Sequence, residues 1–237
     1  MHLQNIFHQL SVGPLNELAI VGTGSGTIPA EHIPKLTFHV GQALVALYTR
    51  FPLRIRSLEL ETVDGLYEYP LQTRFAQTSS STELYKFIKD SGFAPFTGDV
   101  LKVVGIQDSE GCTLPLNKRG DDLSWFLISY DTLKMDYPVG GSRYRVEYRG
   151  RHPALPVNPS TEQQAETVIL LPQELETALL HHVAGNVYGS MSMEGALAKS
   201  QGHLASYENE CQTHETVNTW DQHHEPHNTK FERGGWV

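Results

Sequence analysis

Twelve histidines in 237 residues are the first groups in this chain that could carry chemistry. A neutral imidazole binds metal ions, and it exchanges protons near neutral pH. The histidines gather at His181-His182 and at His223-His224 with His227. His223 and His227 have the spacing that shares one helix face, yet Pro226 and the polar surroundings argue against a helix there. No carboxylate or thiolate stands at a fixed spacing that would close a metal shell, so the pattern predicts no built metal site. His182 falls on an apolar face and is expected as a hydrogen-bonded core histidine. The loop Gly22-Thr-Gly-Ser-Gly26 invites a phosphate-binding reading. It carries Thr27 where a dinucleotide fingerprint needs glycine, and no lysine follows its last glycine as a P-loop requires, so it reads as a flexible connector and no cofactor is expected. No Gly-x-Ser-x-Gly elbow occurs, and neither Cys112 nor Cys211 has a nucleophile signature around it. The two cysteines read as buried thiols rather than a disulfide or metal pair. Asp121-Asp122 beside Gly120 reads as a solvated turn. A metal-dependent hydrolase using the histidines is the enzymatic alternative.

A net charge of −9 disfavours a dedicated nucleic-acid groove, because neutralising phosphates needs clustered Lys and Arg. The one notable basic group is Arg143, Arg145, Arg149 and Arg151. It reads either as a solvated strand face or as a surface toward an acidic neighbour or toward DNA in a lumen. At the other extreme of the chain, residues 221–237 are polar without apolar periodicity but end in Phe231, Trp236 and Val237. These are costly to leave in water, so the segment reads as a tether with an apolar plug seeking a partner. An arm of about 20 residues spans on the order of 60 Å when extended. No apolar run approaches the roughly 20 residues of a membrane span, and no secretory signal core opens the chain, so a soluble, unexported protein without a membrane partner is expected.

The elements follow from periodicity. Leu3, Ile6, Phe7 and Leu10 predict a short amphipathic helix ended by Gly13-Pro14. Pro34 opens a second helix, on which Leu36, Val40, Ala43, Leu44, Leu47 and Phe51 form one stripe that Pro52 closes. From residue 53 the period becomes two. Leu53 and Ile55 alternate with Arg54 and Arg56, and a phase shift at Ser57 toward Leu58 and Leu60 predicts a bulge. Asp64-Gly65 predicts a hairpin returning through Tyr67 and Tyr69 to Pro70. Further strands are expected over 100–106, 125–128 and 132–135, with a turn at 108–111 and a return through Leu114 and Leu116. In the last strand Tyr144, Val146 and Tyr148 face opposite to Arg143, Arg145, Glu147 and Arg149. A proline-rich connector from His152 precedes a helix starting at Pro172 with Leu175, Leu179, His182, Val183 and Val187 on one face. After a break near 189–192, a final helix carries Leu197, Leu204, Tyr207 and Cys211 to about residue 215.

Helices at both ends around a β-rich middle, without βαβ repeats, give an α+β class. The expected organisation is a helical bundle of residues 1–52 and 160–215, an antiparallel β-rich insertion over 53–152, and an extended C-terminal arm over 216–237.

This order of parts resembles the head-to-tail adaptor (connector) proteins of short-tailed bacteriophages. The resemblance runs through Leu47-Tyr-Thr-Arg-Phe51, Asp64-Gly-Leu-Tyr-Glu-Tyr-Pro-Leu71, Asp99-Val-Leu-Lys-Val-Val104, Val146-Glu-Tyr-Arg149 with His152-Pro153, Leu171-Pro-Gln-Glu-Leu-Glu-Thr-Ala-Leu179 and Tyr207-Glu-Asn-Glu-Cys211. It implies a non-enzymatic virion protein of the neck between capsid and tail. Such a protein forms a homo-oligomeric ring of about twelve copies, docks on the portal protein, carries the tail tube or nozzle protein, and passes double-stranded DNA. It implies portal contacts for the arm, at Phe231, Arg233, Gly234, Gly235, Trp236 and Val237. It also makes the arginine group a lumen or interface face. A tail or neck component that binds the tail tube is the nearest alternative.

Overall fold

The computed structural model describes residues 1–18, 28–120 and 122–217. Residues 218–237, with the arm's Phe231, Arg233, Gly234, Gly235, Trp236, Val237 and its histidines, lie outside the described residues, as do the Gly22 to Gly26 loop and Asp121. The chain is α+β, with two compact units: Met1–Leu47 together with the chain from Leu155 onward, and Tyr48–Ala154.

The first unit holds α1 (Leu3–Val12), most of α2 (Ile33–Arg50), α3 (Thr161–Glu166), α4 (Glu176–Gly189) and α5 (Ala196–Val217). Leu3, Ile6, Phe7 and Leu10 of α1 are all buried, and so are Leu36, Val40, Ala43, Leu44 and Leu47 of α2. Each such Leu or Ile contributes about 1.5–3 kcal/mol by leaving water. α1 ends at Gly13, whose N–H donates to the Gln9 carbonyl at 2.9 Å and where a Cβ would come within 2.8 Å of that oxygen. The chain start is tied to residues far along the sequence: the Leu3 N–H donates to the Thr167 carbonyl at 2.9 Å, and the Ile169 N–H to the Met1 carbonyl at 2.7 Å. Residues 160–167, placed in the helical body without an element of their own, form α3. Its signal is the capping box of Ser160 and Gln163, whose side chains each accept from the other's backbone N–H.

α4 and α5 form an antiparallel helical hairpin held close by small residues. The Ser200 hydroxyl donates to the Gly185 carbonyl at 2.8 Å, and a Cβ on Gly185 would come within 2.8 Å of the Leu204 side chain. The buried residues of α5 are therefore Ala196, Ser200 and Cys211, while Leu197, expected on the apolar stripe, is 68% exposed. Close approach of backbones replaces large side chains at this seam.

The second unit carries β1 (Ile55–Glu61), β2 (Glu68–Pro70), β3 (Ile88–Lys89), β4 (Val100–Gln107), β5 (Trp125–Ser129), β6 (Thr132–Met135) and β7 (Arg143–Gly150). They make two sheets, ordered β3-β1-β7-β4 and β2-β6-β5, and every strand pairing is antiparallel. Leu58, Leu60, Val103, Ile106, Val146 and Tyr148 from the first sheet share one apolar cluster with Tyr69, Trp125, Leu133 and Met135 from the second. Tyr69 meets Phe87 edge-on at 5.2 Å between ring centres, a favoured aromatic arrangement.

Three expectations about this unit are corrected. The turn at Asp64-Gly65 exists, with Gly65 at φ 75°, but β1 does not return on itself there: β2 pairs with β6 in the other sheet, and β1 pairs with β3 and β7. The reason is the loop before β7. The Thr62 hydroxyl donates to the Val139 carbonyl at 2.5 Å, and the Gly140 N–H donates to the Asp64 carboxylate at 2.7 Å, where a Cβ would collide. β1 also holds an unbroken register with β7 from Ile55 to Glu61, so there is no bulge at Ser57; the register shifts of this sheet occur where β4 pairs with β7. The apparent phase change arises because Arg56 points the same way as Leu58 and Leu60. Cys112, expected buried, is exposed, since it follows the Asp108 turn and donates its N–H to the Asp108 carboxylate at 2.9 Å; Cys211 is buried, and neither forms a disulfide.

Arg56 faces inward because it meets Asp99, whose side chain is only 10% exposed. One Asp99 oxygen accepts from Arg54 at 3.0 Å and from Arg56 at 2.9 Å, and the other accepts from the Tyr148 hydroxyl at 3.1 Å. Burial, reinforced by the Asp99 charge, pushes the Tyr148 phenol well above its ordinary range, so the hydroxyl stays a donor. A desolvated carboxylate persists only when paired and fully hydrogen-bonded. Asp99→Ala is expected to destabilise the chain by about 3–5 kcal/mol, by stranding two guanidinium groups. Tyr148→Phe removes one bond to a charged group, at about 1.5–3 kcal/mol. Denaturant midpoints measure both, and equal costs would contradict this ranking.

Candidate functional site

The basic group singled out in the sequence lies on and just beyond β7. Strand alternation turns Tyr144, Val146 and Tyr148 toward the core and leaves Arg143, Arg145, Glu147 and Arg149 on the opposite face. The register with β1 then sets Glu61 against Arg143, Glu59 against Arg145, Ser57 against Glu147 and Ile55 against Arg149. On the other flank, β4 places Gln107 beside Arg145 and Lys102 beside Arg149. The face is consequently a ladder of alternating charge rather than an unbroken cationic strip.

The individual arginines differ. Arg143, 64% exposed in its side chain, donates through Nε to Glu61 at 3.2 Å, and Glu61 also takes Lys89 at 3.3 Å. The Lys89 hydrogen bond, with Arg143 adding to it, holds the Glu61 carboxyl below its usual range. Arg145 is exposed opposite Glu59. Arg149 turns back onto the end of α2: one of its terminal nitrogens donates to the carbonyls of Tyr48 at 2.8 Å and Thr49 at 3.1 Å. The last carbonyls of a helix have no intrahelical partner and carry the negative end of its dipole, so a guanidinium there acts as a C-cap. Arg151 is exposed, with its guanidinium 5.9 Å from the centre of the Tyr130 ring, and its N–H donates to the Asp99 carbonyl at 2.7 Å. The structure therefore brings Arg143 and Arg145 onto one accessible face. It assigns Arg149 to the helix end and sets Arg151 beyond the strand.

Arg143 also borders a shallow depression of about 400 Å³, lined by Asp108, Ser109, Gly141, Ser142 and Tyr144. Asp108 is committed to its own turn through the N–H groups of Glu110 and Cys112. Turns of the same unit leave large apolar side chains in water. Phe93 on the Ser91 to Ala94 turn is fully exposed, and Leu84, Tyr137 and Val139 are exposed as well. The local signal for one of them is the Gly92-Phe93-Ala94-Pro95 stretch, whose turn residues put Phe93 at a tip.

Histidines of the first unit come together in a way the sequence did not disclose. His182, as expected, is part-buried and hydrogen-bonded, to Asn186 at 3.1 Å, and its ring meets Tyr207 edge-on at 4.8 Å. His181 reaches across to His203 on α5. Among the described residues, no group of three or more His, Cys, Asp or Glu side chains is arranged to hold a metal ion, and no helix is long and apolar enough to cross a membrane.

If Arg149 serves the helix end and Arg145 serves the surface, the two must respond differently to loss of charge. Arg149→Met is expected to lower stability by about 1–2 kcal/mol. Arg145→Met is expected to stay within about 0.5 kcal/mol of the parent. Thermal unfolding of both variants is the measurement, and similar shifts would remove the distinction. The chain matches no protein-family model and no curated protein.

Proposed function

We propose that this protein is a non-enzymatic head-to-tail adaptor of a short-tailed bacteriophage, a ring-forming virion component between the portal and the tail. The observation that carries the reading is the division of the chain, with helices from its two ends in one unit and a β unit inserted over Tyr48–Ala154. In this reading the terminal helices form the bundle that builds the ring. The inserted sheets face the tail tube or nozzle protein, and the exposed Leu84, Phe93, Tyr137 and Val139 at their turns are the apolar side chains such a contact would cover.

Two features, one of composition and one of strand register, agree with a DNA conduit. An acidic chain with a net charge of −9 has little affinity for phosphates, and packaged DNA must slide past rather than bind. The mixed ladder of Glu59, Glu61, Arg143, Arg145 and Glu147 offers no continuous cationic track that would hold the duplex. The C-terminal arm, ending in Phe231, Arg233, Gly234, Gly235, Trp236 and Val237, supplies the portal contact. Burying one Trp and one Phe per copy contributes a few kcal/mol, roughly 3–5, and repetition around a ring turns weak joints into a durable one.

The purified protein is expected to associate weakly alone and to form a stacked ring when mixed with its portal, visible by negative-stain imaging. Deleting residues 221–237 is expected to leave the circular dichroism spectrum unchanged and to abolish the stacked ring. Docking by the deletion variant would remove the arm's role. A complex with the tail tube but not with the portal would replace the adaptor reading by that of a tail or neck component.

A further inference from the structure

The helical hairpin of α4 and α5 carries its polar contacts as imidazoles. His181 and His203 approach Nδ1 to Nδ1 at 3.1 Å, with their ring centres 5.3 Å apart. Such a contact has one geometry of protonation that holds it: one nitrogen bears a hydrogen and donates, and the other presents a lone pair. Two neutral rings satisfy it, and so does a pair that shares one extra proton. When both Nδ1 atoms carry hydrogens, donor faces donor and two positive charges meet across a hydrogen-bond distance.

We propose that His181 and His203 form a one-proton latch that closes α4 against α5 at neutral pH and releases the seam on acidification. This inference is independent of the adaptor reading, since it concerns only the described helices.

The surroundings set its direction. His203 stacks on Tyr188 of α4, at 5.6 Å between ring centres, and the Lys199 ammonium of α5 lies 5.5 Å from the centre of that same Tyr188 ring. Lys199 is paired with Glu17, from the segment after α1, and the Tyr188 hydroxyl donates to the Pro14 carbonyl at 3.3 Å. Next to His181 on α4, His182 contacts Tyr207 of α5 and feels the charge of His39 on α2, which itself lies near Lys35. The groups bearing on the seam are thus mostly imidazoles and ammoniums, which disfavour added positive charge. Burial first, then His181 and Lys199, pulls the His203 imidazole below its ordinary range; burial does the same to His182 and His39. A histidine depressed in the folded state binds fewer protons there than in the unfolded chain. Its stabilising effect is therefore complete above the ordinary imidazole range and is lost as pH falls through that range toward the depressed value.

The latch closes about one turn from the close crossing of Gly185 and Ser200. Releasing it loosens α5, the helix from whose end residues 218–237 continue. The relevant pH window, about 5 to 7, is the one in which an unperturbed imidazole changes charge.

A double-mutant cycle on the full chain tests this, using His181→Gln, His203→Gln and the double variant, with chemical unfolding at pH 7.5 and pH 5.0. At pH 7.5 the pair is expected to raise the folding equilibrium constant about fivefold beyond the sum of the single effects. At pH 5.0 that coupling should vanish or reverse. A coupling equal at both values, or absent at pH 7.5, overturns the latch. A second measurement serves where a variant does not fold: long-range proton–nitrogen correlation spectra of the parent protein through the same range. Coupled titration of His181 and His203, with an Nδ1–H on only one of them at pH 7.5, is expected. Independent titration, or Nε2–H tautomers on both rings, overturns the proposal.

Discussion

A carboxylate taken out of water has to find its compensation inside the protein, and Asp99 finds it in side chains from two separate strands of the sheet unit. Arg54 and Arg56 arrive from the entry into β1 and Tyr148 from β7, while the Asp99 backbone carbonyl accepts from the Arg151 N–H just past β7. The first sheet can close only if β1, β7 and the start of β4 sit in one register, because any slip by a residue would turn Arg56 outward and leave Asp99 alone. Gly150 belongs to the same constraint. A Cβ there would stand 3.1 Å from the Asp99 carboxylate and 3.4 Å from the Arg56 side chain, so the network excludes larger residues at that position. An apolar core tolerates many packings of similar volume, whereas a buried charge with three side-chain donors accepts one.

Cohesion in the helical unit has a different origin. Large aliphatic side chains secure α1 and α2, but α4 and α5 are joined by a near approach of backbones at Gly185 and Ser200, with imidazole and phenol rings filling the space on either side. Such a seam gains dispersion from contact at short range and from aromatic stacking rather than from large buried apolar area. Its polar members make it responsive to conditions that leave an aliphatic core unchanged.

How much of this was legible in the sequence depends on how local its cause is. Helices α1 and α2 announce themselves through one apolar stripe each, and β4 to β7 through alternation and turn residues, because those signals arise within a few residues. The ladder pairing of β1 with β7 was not legible, since its cause is the Thr62 and Asp64 clasp on a loop almost eighty residues later. Arg56 was misread for the same reason: a basic residue in an apolar phase looks like a phase error until its carboxylate is found just ahead of β4. Of the predicted α5 stripe, Leu204 lies against Gly185, Tyr207 meets His182 and Cys211 is buried, and only Leu197 falls outside, because the close approach at Gly185, on a different helix, is not legible in α5 itself. Among the arginines, alternation found the exposed face correctly, but only the folded chain separates Arg149, spent on a helix end, from Arg143 and Arg145 at the surface. The sharing of a hydrogen between His181 and His203 has no one-dimensional signature at all.

The contact between the entry and exit of the sheet unit has one more consequence. Arg54 donates to the carbonyl of Arg151 at 2.9 Å, and the Gly150 N–H donates to the carbonyl of Arg54 at 2.8 Å. The chain leaves for an excursion of about a hundred residues and comes back to where it set out, so the rest of the polypeptide experiences that excursion as a short loop with touching ends. A segment with that property is a cassette. It can lengthen, shorten or be exchanged whole without altering the spacing its neighbours in sequence must satisfy, and new termini can be opened within it without moving its ends apart.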